Sequence, residues 1–510
     1  MRNQRSRSNV IKSFLLIVIL VNVLMGCSSP QPKILPTETA AIPVKEHAQS
    51  ELDIFKANLV PSFRNALAGF GGATQYKIDL NIGNDIASIS GYQEVLYTDN
   101  EDVPLEEIYF RMFPNMSGDY LEVKNIKVDN QSVDFEMEFE NTALRVVLPE
   151  PLSPGDTVNL SMEFLLQVPS EMGGNYGLYV YLDEILALDA FFPIIPVYNS
   201  EGWNVEDPPR NADMIFTDAA FFEVTVTAPE GLVLVASGVQ SDSKKENGRQ
   251  VKVFRAGPQR DFYLAASSRF TSQKKKIDDT LVTSFFPEEY EEMGTMVLDT
   301  AVKSLQIFSD RYGEYPYAEL DVVSTPMQAG GMEYSGAAAM ALYFYESGAS
   351  INGVPGGVYL ESSTAHEVAH QWFFNQVMND QLDEPWLDEG FAQYLTNIYY
   401  LDTYGEAAAA SYRESWNGRW ARLGYEEIPI GKPAGEYERE EYSPIIYGRA
   451  PIFIRELEQE MGVDTFNDFL MEYIDTYRWQ NVDTGLFKKM AEDYCHCDLT
   501  PLFDEWWAVK

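Results

Sequence analysis

The chain has 510 residues, 45% of them hydrophobic and 13% aromatic, which is enough apolar material for a large core spread over roughly two to four domains and excludes a disordered protein. Its 78 acidic and 37 basic residues leave a formal charge of −41, which repels nucleic-acid phosphates and excludes a basic binding stripe, so nucleic acid is not an expected partner. The same acidity keeps the folded body off an anionic bilayer, so membrane attachment requires a dedicated anchor.

The first 26 residues supply a candidate for that anchor. Arg2, Arg5, Arg7 and Lys12 form a basic start, and Ile17 to Leu24 lie in an apolar run broken only by Asn22, too short for a comfortable transmembrane span. The run ends in Leu24-Met25-Gly26-Cys27, which resembles a bacterial lipobox with Cys27 as the lipidated residue. Residues 1–26 are therefore read as a lipoprotein signal peptide, and the expected location is outside the cytoplasm, held to a bacterial membrane through the N-terminal lipid only. Cleavage before Cys27 removes four positive charges and no acids, taking the formal charge from −41 to −45.

Residues 27–50, with Pro30, Pro32, Pro36 and Pro43, read as a tether, and 51–75 as a short helical lead-in carrying Pro61. From 76 to 268 short strand-like runs such as "YKIDLNI", "VKNIKV", "ALRVVL" and "FFEVTVTAP" alternate with turn-forming clusters, the pattern of an all-β sandwich or saddle. From 269 to 510 the period becomes helical, first in "MGTMVLDTAVKSLQIFSDRYG", ending near Gly313, and later in "AAAASYRESWNGRWARLG" and "PIFIRELEQEMG". Strand-like "ELDVVSTP" interrupts it, so the expected class is α+β with a cleft where the halves meet.

Chemistry concentrates in "ESSTAHEVAHQWFFNQ", which holds two of the four histidines in the chain. On a helix, for which Ser362, Ser363 and Thr364 are N-cap candidates, His366 and His370 share one face and can approach one zinc ion, while Glu367 lies close enough to handle a water. Three protein ligands leave a fourth position for that water. Glu389 in "EPWLDEGFAQYL", eighteen residues beyond His370, is the candidate third ligand. Near the C-terminus "YCHCDL" places Cys495 and Cys497 one residue apart, a spacing that suits neither a four-ligand zinc site nor a relaxed disulfide, and two unpaired thiols are expected.

Together "HEVAHQW", "WLDEGFA" at 386–392 and "AGGMEYSG" at 329–336 resemble the aminopeptidase N family of zinc metallopeptidases, gluzincins with a thermolysin-like catalytic domain behind a β-saddle. "YKIDLNI", "ISGYQEVLYTDN", "EIYFRMFPN", "RYGEYPYAELDVV" and "CDLTPLFDEWW" extend the likeness over about residues 76 to 510. The resemblance implies one zinc ion on His366, His370 and Glu389, with Glu367 as the general base toward a zinc-bound water. It implies that Glu333 grips the free α-ammonium of a peptide beside Gly330, Gly331 and Met332. It also implies that Tyr447 in "SPIIYGRAP" donates to the developing oxyanion, with Tyr442 the nearby alternative. Counting nine residues back from Pro193 suggests Glu184 as a second amine anchor, with Asp183 and Asp189 as competing candidates. Three positions depart from the family pattern: Gly331 for alanine, Tyr334 for asparagine and Phe374 for glycine.

The function these features imply is zinc-dependent removal of N-terminal residues from peptides at the cell envelope. An oligopeptidase or endopeptidase of the same family, or a non-catalytic surface lipoprotein that binds a partner, are the alternatives. An acetyl block on the substrate N-terminus separates the first two.

Overall fold

The computed structural model describes residues 52–173, 179–209, 212–351 and 353–507. Cys27, the signal peptide and the tether lie outside the described residues. Among those described, no helix is long and apolar enough to cross a membrane.

The β-rich part is built on an eight-stranded sheet whose centre pairs Gln75–Ile82 in parallel with Ala220–Pro229 and antiparallel with Ser88–Thr98. Alternation explains which face packs: in Gln75–Ile82 the side chains of Tyr76, Ile78, Leu80 and Ile82 are buried and those between them face outward. A three-stranded sheet with Leu105–Arg111 and Ala143–Leu152 and a four-stranded sheet with Ile185–Leu188 and Leu264–Ser267 accompany it. Inward residues from these strands, among them Ile108, Val146, Phe164 and Phe222, form one continuous apolar cluster.

A mixed five-stranded sheet opens the helical part: β1 (Phe270–Ile277), β2 (Thr280–Pro287), β3 (Glu319–Thr325), β4 (Gly331–Tyr334) and β5 (Ala337–Ala341), ordered β1-β2-β3-β5-β4. The edge strand β4 is therefore the "GMEY" of the sequence motif. Helix α1 (Glu291–Tyr312) ends against Gly313 as its periodicity predicts. It is followed by α2 (Gly356–Ala369), α3 (Phe391–Tyr404), α4 (Glu406–Trp420), α5 (Ala450–Met461), α6 (Val463–Thr476), α7 (Thr484–Cys495) and α8 (Thr500–Trp507). The second apolar cluster joins this sheet to α1, α2 and α3. The lead-in forms two 3₁₀ helices, Leu52–Asn58 and Pro61–Gly69, broken where Pro61 begins the second. Phe55 meets Phe221, and the Val60 N–H donates to the Pro316 carbonyl, so this segment touches both parts.

Two expectations are corrected. Helix α2 starts at Gly356 after Pro355, so Ser362, Ser363 and Thr364 lie inside it and cap nothing. Thr364 instead returns its hydroxyl to the Leu360 carbonyl at 2.7 Å, the usual outlet for a threonine inside a helix. Cys495 and Cys497 form a disulfide. His496 between them takes a left-handed φ of 53° at the end of α7, which brings the two Cα atoms to 5.2 Å, inside the range a disulfide spans.

Helix α7 also has a well-defined start. Asp483 Oδ1 accepts the Leu486 N–H at 2.7 Å, and the adjacent Thr484 hydroxyl accepts from Trp386 Nε1 at 2.9 Å. Asp483→Ala is expected to lower the unfolding free energy by about 1 kcal/mol in urea titration, the usual loss for an N-cap.

Candidate active site

Helix α2 delivers the two imidazoles, and a π-helical turn, Trp386–Gly390, delivers Glu389 just before α3. Such turns widen the helix by one residue and commonly re-aim a functional side chain. His366, His370 and Glu389 are all buried. Glu389 Oε2 stands 3.0 Å from His366 Nε2 and 3.6 Å from His370 Nε2, and the two Nε2 atoms are 3.2 Å apart. Ligands about 2.0–2.1 Å from a tetrahedral zinc stand roughly 3.3–3.4 Å from one another, so the triad fits one such ion. Each imidazole is also steered from behind: His370 Nδ1 meets the Phe373 carbonyl at 3.1 Å, and His366 Nδ1 meets the Gln393 amide at 3.4 Å.

Glu367 is buried beside the triad, and its Oε2 has no hydrogen-bond partner among the described residues. A Cβ at Gly331 would stand 2.4 Å from its Oε1, so the glycine at this position leaves room for the carboxylate. Glu333, on the edge strand β4, is buried and accepts from Gln381 Nε2 at 3.0 Å. Carboxylate oxygens of Glu333 and Glu367 and a ring nitrogen of His370 lie within 4.8 Å of one another. Burial pushes Glu333 up to about 7 and Asp388 to about 6, and lifts Glu367 well above the carboxylate range. Burial opposes ionisation of Glu389 too, but the charge on His370 and hydrogen bonds from both imidazoles hold it well below that range.

Tyr447 sits on a second π-helical turn, Ile445–Arg449, and donates its hydroxyl to Glu389 Oε1. Gly330, Gly331, Met332 and Glu333 share the cleft wall, and the whole cleft encloses about 840 Å³. The geometry thus gathers His366, His370, Glu389, Glu367, Glu333 and Tyr447 into one cavity.

It does not bring Glu184 there. Leu182 pairs with Ile185, so Asp183 and Glu184 form a two-residue hairpin turn with φ values of 52° and 61°, and Glu184 is exposed away from the residues that line the cleft. The offset from Pro193 lands on a turn because the hairpin consumes it. Of the competing candidates, Asp189 is buried in a small adjoining cavity that Glu333 also lines, while Asp213 reaches the cleft itself from the β-rich part, with one oxygen within 4.8 Å of Glu333 and Glu389 oxygens. Nothing in the sequence around Asp213 signals this. Gln393 is different: it lies four residues after Glu389 on the continuing helix, so the same face could have been read for it.

The three departures from the family pattern have distinct surroundings. Tyr334 turns away from the cleft and stacks on Tyr263, ring centroids 3.9 Å apart. Phe374 keeps a φ of 135°, the backbone a glycine adopts freely, and holds it with its ring under the Arg260 guanidinium at 4.5 Å. Arg260 is fully buried and donates to the carbonyls of Phe374, Ile215 and Asn379.

Beside Arg260, Asp261 accepts the Ser335 N–H at 2.8 Å, and burial raises its pKa from 3.8 to about 6. The native state then holds a proton that the unfolded chain releases between about pH 4 and 6, so this group's contribution falls as pH rises through that window. Asp261→Asn is expected to remove that slope. The variant should gain about 2 kcal/mol on wild type between pH 4.5 and 7, measured by thermal unfolding.

Comparison with known proteins agrees with this arrangement. Residues 296–506 match the Peptidase family M1 domain. Aminopeptidase 2 of Candida albicans is 23% identical over 76% of this chain and 42% of its own length. Aminopeptidase N of Acetobacter pasteurianus is 30% identical over 34% of this chain and 51% of its own. The chain spans 42%, 38% and 31% of three of the curated relatives it matches. The crystal structure of the M1 zinc metallopeptidase from Deinococcus radiodurans shares the fold, with a TM-score of 0.63 and 18% identity over 86% of this chain and 95% of that one. A mutant of that protein, bound to a Tyr-Ser-Ala substrate, aligns with a TM-score of 0.63 at 19% identity over 86% and 94%. With residues 296–506 matching an M1 peptidase domain behind a β-rich part and the motif residues gathered in one cleft, the comparisons support the aminopeptidase N family of gluzincins for this chain.

Proposed function

We propose that the protein is a zinc aminopeptidase that removes N-terminal residues from peptides at the cell envelope, with Cys27 carrying the lipid that holds it to a bacterial membrane. The observation that carries the enzymatic reading is the placement of the buried Glu333 and Glu367 within 4.8 Å of His370, beside the His366–His370–Glu389 triad. His366, His370 and Glu389 would hold one zinc ion, which would supply Lewis acidity and lower the pKa of water toward neutrality.

The chain's own groups account for the rest. Glu333 is a buried carboxylate with one neutral partner, so a substrate α-ammonium restores the compensation that burial removes, and an internal peptide bond brings no such charge. Glu367 takes a proton from the attacking water and returns it to the departing amine, and its unpartnered Oε2 is free to carry that proton between the two events. Tyr447 exchanges its bond to Glu389 for one to the oxyanion that develops at the scissile carbonyl. The names of the relatives and the tripeptide bound by the Deinococcus mutant support peptides as the substrate class.

The test is a panel of aminoacyl fluorogenic substrates with and without a chelator, beside N-acetylated peptides. Chelator-sensitive release from free N-termini with no cleavage of acetylated peptides is the expected result. Cleavage of the acetylated peptides instead establishes the endopeptidase alternative, and no hydrolysis with zinc bound establishes the binding-protein one.

A further inference from the structure

The charges lining the cleft are unevenly shared. Four carboxylates face it, Asp213, Glu333, Glu367 and Glu389, against a single guanidinium, Arg419, near the C-terminal end of α4. In a chain of net charge −41 an arginine has abundant carboxylates to choose from, yet among the described residues Arg419 makes no ion pair. Its Nη1 donates two long bonds of 3.4 Å, both to neutral oxygens, those of the Gln393 side chain and the Tyr447 backbone. Nε and Nη2 donate to no group among the described residues. The side chain is only half-buried and faces the cavity. Arginine presents a planar fork matched to a carboxylate, so this guanidinium is a binding group whose anion comes from outside.

Its position says which anion. Glu333 approaches the triad through His370 and Glu367, whereas Arg419 approaches it through Gln393, whose amide touches His366, and over the Tyr447 ring at 5.9 Å. Cation-seeking and anion-seeking ends therefore reach the triad by different ligands. Contacts of 3.4 Å from Arg419 Nη1 to the Gln393 side chain and 3.4 Å from the Gln393 amide to His366 link the guanidinium to the triad through one side chain, so at about 3.5 Å per extended residue an anion on Arg419 belongs within the first few residues after the cut. We propose that Arg419 binds the free C-terminal carboxylate of di- and tripeptides, making the enzyme selective for very short peptides. This rests on the aminopeptidase reading of the same cleft.

The test compares zinc-loaded wild type on matched pairs, X-Ala against X-Ala-amide and X-Ala-Ala against X-Ala-Ala-amide, where X is the best residue of the aminoacyl panel. Free acids should exceed amides in kcat/KM by about 10-fold or more, the usual weight of a charge-assisted bond, chiefly through KM, and the advantage should vanish at five residues. In Arg419→Gln the acid-to-amide ratio should fall to about one, and Arg419→Lys should keep part of it. Equal rates for acid and amide in wild type overturn the proposal. So does an Arg419→Gln variant that slows both equally with the ratio intact, which makes Arg419 a positioning residue for Tyr447 and Gln393. Calorimetric binding of the same acids and amides to zinc-loaded Glu367→Gln protein reads the ratio without turnover. Absence of any hydrolysis then counts against the aminopeptidase reading alone, while equal binding counts against Arg419.

Discussion

Glu367→Gln is expected to lower kcat by about 10²- to 10⁴-fold while zinc content, measured by atomic absorption, stays that of wild type. The separation follows from the geometry. Glu367 is no part of the His366–His370–Glu389 triad, so the amide leaves the ligand atoms and their supports at Phe373 and Gln393 in place. It removes the only feature the reaction takes from this side chain, its capacity to hold a transferred proton. Glutamine also matches the volume that Gly331 leaves open, so the thermal midpoint should stay close to that of wild type. Loss of zinc together with activity would instead make Glu367 a group that holds the ion.

Glu333→Gln should cost about 10²-fold in kcat/KM on substrates with a free N-terminus, most of it as a raised KM. The carboxylate is buried with Gln381 as its hydrogen-bond partner, and the incoming ammonium is the group that compensates its charge. Glutamine keeps the shape and can still meet Gln381, so the loss isolates the charge. Acetylated substrates, poor with wild type, should be no poorer with the variant, and the ratio of free to acetylated rates is the measurement. An unchanged ratio would move the amine-binding role to Asp213, the cleft acid supplied by the β-rich part.

How much of this the sequence disclosed depends on how local each feature is. The gathering of His366, His370 and Glu389 was readable because the two histidines share one helical turn and the glutamate follows within a short, motif-rich stretch. Helix α1 ended where its periodicity and Gly313 indicated. The start of α2 was misplaced because "GVPGG" looks like loop, yet a proline before the first turn and glycines within it are tolerated once α2 packs against α1 and the edge of the sheet. The disulfide escaped because it requires a left-handed residue at His496, a choice made by the end of α7 rather than by cysteine spacing. Asp213 and Arg419 were hidden for another reason. Each matters through what lies opposite it, and neither carries a local pattern. Glu184 failed in the reverse direction, since a distance along the chain was taken for a position in space.

Arg260 bears on how a chain of this two-part build can be recombined. Its guanidinium, rooted in the β-rich part, fastens the carbonyls of Phe374 and Asn379 just beyond α2, and Asp213 reaches the cleft from the same side of the chain. A chimaera that joins a foreign saddle at residue 268 would therefore import part of the reaction chamber along with its scaffold. Such grafts should succeed only when the donor brings its own equivalents of Arg260 and Asp213.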